Sequence, residues 1–327
     1  MERVALVGFG IAGASLAAKA PQGVDLVVFD AGGRRCSSRV ATGLVNPIVL
    51  KRRRVVWRAA EALEVALKTY PLELRSSGSI YEVLRTIQEL NDWQALSDHP
   101  ALGTYLGAVH SVPAGVQGVG LGEVRGSFRL NVVGFLEHMR AQVEVRDESV
   151  ERLEPQGDGS WTINGMQHFD RVLLAEGYQA RWAEHFWGPL GFARTWGQGL
   201  RVAVEASPSV MLHRSHFLLP EAGGGYQLGA SFGWGIEHGD QDPPEANASQ
   251  AEELLNSARE WVDGGIEVQG QWTGIRPNTQ DRRPRWGWHL EHPTLGMLNG
   301  LGSRGTLHAP LLAQELWDQR LGAASGS

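Results

Sequence analysis

Two spacings of apolar residues alternate along this chain. Largely apolar runs at residues 4–7, 24–29, 169–175 and 295–299 suit strands of a parallel sheet covered on both faces. Between them, at 79–84, 108–112, 192–204, 216–219 and 226–231, short or alternating runs are broken by Gly, Pro and Ser, which predicts antiparallel strands. Shorter strands are expected at 143–145, 149–153 and 161–163, with a turn over 155–160. Helical spacing covers 14–20, 57–70 (stopped by Pro71), 86–96 and 131–141. A capping box, Ser249-Gln250-Ala251-Glu252, opens a helix to Val262 that Gly264-Gly265 ends. The last helix runs from about 307 to 317 with Pro310 in its first turn. The two strand types interleave, and no linker or repeat separates them. The expected architecture is α/β, with one domain formed by 1–72, 126–190 and 271–327 and a smaller α+β domain with an antiparallel sheet formed by 73–125 and 191–270.

The first apolar run leads directly into Gly8-Phe9-Gly10-Ile11-Ala12-Gly13. Gly8 permits a sharp turn, Gly10 lets backbone approach a pyrophosphate, and Gly13 lets the next helix pack close on the sheet. The helix amides then point at phosphate. The second run ends on Asp30, 22 residues after Gly8, where a carboxylate can accept from ribose hydroxyls. Strand, turn, helix, strand and acid in this order mark a Rossmann-type dinucleotide site. An acid rather than a base at its end favours FAD or NAD over NADP. Near the C-terminus a second glycine turn, Gly300-Leu301-Gly302-Ser303-Arg304-Gly305, feeds a second helix. One pyrophosphate needs one such turn, so a second positive helix end suits a cofactor that gains charge elsewhere. That prefers FAD.

Composition narrows the setting. With 327 residues the chain can bury a large core, and a net charge of −6 gives no global attraction to nucleic acid or anionic membrane. One cysteine, Cys36, excludes an intrachain disulfide and fits a reducing compartment. Residues 1–20 resemble a signal peptide, but cleavage there would delete the glycine turn; with no apolar stretch of membrane-spanning length, the expected location is cytoplasmic. Within this acidic chain Arg34, Arg35, Arg39 and the run 51–54 are locally basic. That run reads either as a solvated helix start or as a phosphate or carboxylate contact through Lys51 or Arg52. His213, His216 and His238 lack metal-ligand spacing.

The motifs GFGIAG with Asp30, RVATGLVNP, LAEG at 174–177, WGQG at 196–199, GIRPNTQDRRP at 274–284 and GLGSRG at 300–305 occur in order. Together they resemble the FAD-dependent D-amino-acid oxidase family, which includes glycine oxidase, sarcosine oxidase and the FAD domain of the bifunctional tRNA 5-methylaminomethyl-2-thiouridine enzyme. The resemblance implies a Rossmann-type FAD-binding domain interleaved with a substrate domain. It places Gly8, Gly10, Ala12 and Gly13 at the pyrophosphate, Asp30 at the ribose, Val150 at adenine through its backbone, and Gly177 and Arg39 at the cofactor. Ala41, Thr42 and Gly43 would pass near the isoalloxazine, and the amides of Gly302, Ser303, Arg304, Gly305 and Thr306 would face its pyrimidine edge. Arg276 would hold the substrate carboxylate; the alternatives are a salt bridge to Asp281 or stacking on Trp272. The cysteine positions that carry covalent flavin in sarcosine oxidases are not matched, so FAD is expected to be non-covalent.

The chemistry that the resemblance implies is hydride transfer from the α-carbon of a neutral amine to flavin, with no obligatory side-chain base. The partners expected are a small amine or amino acid and O2 or another electron acceptor. Trp196, Trp234 and Tyr226 are the best-placed aromatic walls. Two rival readings are a tRNA-modifying flavoenzyme using the 51–54 patch, disfavoured by net charge, and a non-catalytic flavin protein. The second rests on a chain that looks short for the family, with a trimmed second domain.

Overall fold

The computed structural model describes residues 1–32, 36–237 and 242–324. Arg34, Arg35 and His238 lie outside these residues. A six-stranded sheet takes its strands from residues 2–29, 144–174 and 285–299. Its central strand, Glu2–Val7, runs parallel to Val24–Phe29 on one side and to Arg171–Leu174 on the other. Arg171–Leu174 in turn lies parallel to Leu295–Asn299. These are the four largely apolar runs, and burial on both faces explains why they do not alternate. Helix Ile11–Ala18 and the C-terminal helix Gly305–Ala324 pack side by side against this sheet, with Leu16, Leu307, Leu312 and Leu316 inaccessible to solvent.

An eight-stranded sheet takes its strands from residues 80–124 and 195–276. Two of these are long and paired antiparallel, Thr195–Val204 and Ile266–Arg276. The chain therefore passes from the first sheet to the second and back twice. Helix Ala248–Arg259 covers one face of the second sheet around Trp261, Leu254 and Leu200.

Several boundaries differ from the sequence expectation for identifiable reasons. The run 169–175 is two strands, Gln167–Phe169 and Arg171–Leu174, which join different sheets. Asp170 breaks it, and its carboxylate accepts from the amide of Arg3 at 2.6 Å. The helix at 248 is capped by Asn247, whose Oδ1 accepts from Gln250 N at 2.9 Å, and not by the Ser249 box. Gln198 on the neighbouring strand selects that cap by accepting from Asn247 N at 2.9 Å. The C-terminal helix starts at Gly305, so Pro310 lies inside it and not in its first turn.

Candidate active site

Between the two sheets runs a cavity of about 1680 Å³, lined by both glycine turns and by Arg276. Ordinary small-ligand sites span roughly 300–1,000 Å³, so this one has room for a dinucleotide and a further molecule.

At one end is the first turn. Gly8 adopts φ +93°, and a Cβ there would stand 2.6 Å from the Ala175 carbonyl oxygen. At Gly13 a Cβ would stand 2.2 Å from the Gly8 oxygen, so this helix reaches the strand only as glycine. Gly8, Gly10 and Ala12 line the cavity, while Gly13 lies behind them as a packing residue. Ser38 Oγ accepts from Ile11 N at 2.9 Å and lines the same wall. Arg39 is exposed and does not line the cavity. Successive side chains of the 3-10 turn Ser37–Arg39 diverge by about a third of a turn, so Ser38 faces inward where Arg39 was expected. Sequence reading missed Ser38 because charge at the neighbouring arginine drew the assignment. Cys36 lines the wall beside it, and burial raises its thiol pKa.

Asp30 ends its strand at the cavity, as expected. One carboxylate oxygen lies 3.2 Å from Arg140 Nη1 and the other 3.4 Å from Phe9 N. Val150 and Gly177 also line this end, and the Val150 carbonyl accepts from Trp182 Nε1 at 2.9 Å. Glu176, which sequence reading did not single out, lines the cavity next to Gly177. Its two oxygens accept from Trp182 N (2.9 Å) and Ala183 N (2.8 Å). Desolvation nevertheless dominates and pushes its pKa up to about 7.

At the other end, the segment carrying Ala41, Thr42 and Gly43 meets the turn Gly302–Thr306, and all eight of these residues line the cavity. The segment is held through alternate carbonyls. Arg129 Nε donates to Thr42 O (2.9 Å) and Thr306 Oγ1 to Leu44 O (2.7 Å). Arg304 donates from Nη1 to Asn46 O (3.0 Å) and from Nη2 to Ile48 O (3.4 Å). In between, Gly43 O accepts from Leu130 N at 2.9 Å. The side chains of Arg304 and Thr306 are thus committed to the segment. Burial lowers the Arg304 pKa to about 10, which leaves it charged at neutral pH.

Arg276 ends the long strand of the second sheet. Its Nη1 donates to Trp196 O at 3.0 Å and its Nη2 to Ser231 O at 3.1 Å. A Cβ at Gly197 would stand 2.3 Å from Nη2, so the WGQG motif makes the space this guanidinium occupies. Neither alternative for Arg276 is realised: Asp281 pairs with Arg285 at 3.1 Å, and Arg276 lies over Phe232 at 5.5 Å and not on Trp272. Among the described residues it has no carboxylate partner, and desolvation lowers its pKa.

The aromatic residues lining the cavity include Trp272, Phe232 and Trp234. Phe232 and Trp234 are 56% and 68% exposed and contact each other edge-on, which places them at the mouth. Of the expected aromatics, Trp196 is buried, its Nε1 donating to Trp234 O, and Tyr226 packs in the core of the second sheet. Both fall outside the lining because their positions in the second sheet turn them away from the cavity. Arg52, Arg54, Arg282 and Arg283 also line the cavity, with no carboxylate partner among the described residues. Lys51 is exposed and is not part of the lining. His213 is paired with Glu82, and His216 Nδ1 lies 2.9 Å from Ser257 Oγ.

A protein-family model described as FAD dependent oxidoreductase matches residues 3–319. The chain is 30% identical over 338 residues to the tRNA 5-methylaminomethyl-2-thiouridine biosynthesis bifunctional protein MnmC of Maricaulis maris. That match takes in 98% of this chain and 52% of the relative, so the chain spans about half the relative's length. Glycine oxidase from Bacillus cereus superposes with a TM-score of 0.76 at 17% identity, covering 99% of this chain and 96% of that one. Iminodiacetate oxidase from Chelativorans superposes with a TM-score of 0.74 at 18% identity, covering 98% and 95%. The chain thus covers nearly the whole of these folds, so it is not short against them, and the shortness that favoured a non-catalytic flavin protein is not observed.

Proposed function

Because the chain belongs to the FAD-dependent oxidoreductase family, we propose that it oxidises the C–N bond of an amino acid or N-substituted amino acid. The observation that carries this reading is Arg276, a desolvated guanidinium held toward the cavity by two backbone carbonyls with no carboxylate partner among the described residues. Such a group is fitted to bind a carboxylate.

The cavity fits FAD at both ends: a glycine cradle with an acid beyond it at one, and the amides of Gly302–Thr306 at the other. Gly8, Gly10 and Ala12 would hold the pyrophosphate without covalent attachment, with Asp30 at the ribose. Bound FAD supplies a two-electron hydride acceptor. Arg276 fixes the carboxylate and thereby the direction of the α-carbon. Trp272 and Phe232 wall the adjoining space and displace water from it. The helix beginning at Gly305 presents its positive end to the turn.

Arg276→Ala is expected to raise KM for carboxylate substrates by about 100-fold, the scale of a lost buried charge partner. Flavin content should stay at wild-type level, and Arg276→Lys should recover only part of the loss because the bidentate fork is gone. Unchanged kcat/KM for every carboxylate substrate would remove Arg276 from this role.

A second reading, a tRNA-modifying flavoenzyme, is favoured by one feature: arginines 52, 54, 282 and 283 line the cavity with no carboxylate partner among the described residues. Four phosphate contacts on single-stranded RNA predict a log–log salt slope of roughly −3. RNA binding titrated from low to moderate salt tests this, and no binding at low salt sinks it. The electron acceptor, O2 or another, is decided by following turnover with and without oxygen.

A further inference from the structure

Two arginines of the cavity share one setting. Arg276 and Arg304 each line it, each donate to two backbone carbonyls, and neither has a carboxylate partner among the described residues. Enclosing a cation without a counter-ion costs several kcal/mol, so such a site calls for an anion that arrives later. Arg276 has one in the substrate. Arg304 belongs to the second glycine turn, where no substrate anion is called for.

We propose that Arg304 is a fixed positive charge that favours the negatively charged, reduced state of bound FAD over its neutral, oxidised state, and so raises its reduction potential. The proposal rests on the reading that the flavin ring lies against the turn Gly302–Thr306. Its carbonyl bonds hold the guanidinium in place before any charge develops, which is the condition for electrostatic stabilisation without reorganisation. The start of the C-terminal helix, one residue on, adds partial charge of the same sign. Neighbouring groups do not cancel it. Arg58 is neutralised by Glu61 and Glu315, and Arg283 lies on the Trp57 ring at 4.7 Å. His308, whose Nε2 lies 2.8 Å from Trp57 O, is held toward its uncharged form by burial and the surrounding arginines.

The test is the midpoint potential of the FAD-loaded protein, with Arg304→Gln removing the charge and Arg304→Lys keeping it. Arg304→Gln should weaken binding of reduced relative to oxidised FAD at least tenfold, a fall of about 30 mV for a two-electron couple. Arg304→Lys should stay within about twofold of wild type. An unmoved potential in Arg304→Gln, or equal falls in both variants, overturns the proposal, the second because it traces the effect to loss of the carbonyl bonds. If Arg304→Gln takes up no FAD, the lysine variant decides alone: a tenfold loss overturns, retention supports. Hydrogen exchange on the wild type separates the underlying reading. No protection of amides 302–306 on loading FAD means the flavin lies elsewhere, whereas protection with an unmoved potential rejects only Arg304.

Discussion

Glu176 accepts hydrogen bonds from two helix amides, yet burial raises its pKa from an ordinary 4.5 to about 7. The folded state therefore binds a proton more tightly than the unfolded chain. Between pH 4.5 and 7 the unfolded state loses that proton first, so this group's contribution to stability falls as pH rises and levels off above 7. The full change is on the order of 3 kcal/mol. Glu176→Gln should remove this slope, measured as the difference in urea unfolding free energy between pH 5 and pH 8. A slope identical to wild type would place the titration elsewhere. At Gly13 the constraint is spatial: Gly13→Val would drive side-chain carbon into the Gly8 carbonyl. That variant should fail to retain FAD on gel filtration.

Among the elements, the C-terminal helix shows how an interior proline is accommodated. Pro310 offers no amide to the carbonyl of Thr306, four residues back, and Tyr70 Oη donates to that oxygen instead at 2.8 Å. Tyr70 is buried, and desolvation raises its pKa well above the ordinary phenol value, so the hydroxyl keeps the proton it donates. Tyr70→Phe should cost about 1–3 kcal/mol by stranding that carbonyl. In a Pro310→Ala background, where an amide returns, the same substitution should cost clearly less. A double-mutant cycle by denaturation measures the coupling, and additivity would refute it. Neither partner was legible in sequence, because 236 residues separate Tyr70 from Thr306. The same holds for the cap at 247: local spacing pointed to Ser249–Glu252, whereas Asn247 caps the helix and is held by Gln198 from another strand. What could be read locally was the strand–turn–helix at residues 4–18, since its glycines, apolar run and helix are neighbours in sequence.

For the molecule as a whole, the two round trips between the sheets mean that neither can form from continuous chain. Unfolding should therefore be one transition, with flavin release and tryptophan fluorescence changing together, and FAD at 100 times its Kd should add about 2.7 kcal/mol. Two separated transitions would count against this coupling. The motif order made the general architecture legible, and Arg276 could be singled out from it. The roles of Ser38, Arg129 and the Arg304 side chain were not, because each is set by a contact far away in sequence. Arg129 ties this segment to the second sheet, donating to Thr42 O beside the cavity and to Pro220 O on the second sheet at 2.7 Å. The segment it anchors is held at residues 42, 44, 46 and 48, with Gly43 facing the other way, and this gives it a parity. One inserted residue within 42–48 would turn every later carbonyl from its donor, whereas two would restore the facing. Length variation here should thus be tolerated in steps of two, and a single added glycine should disturb the cavity more than a pair.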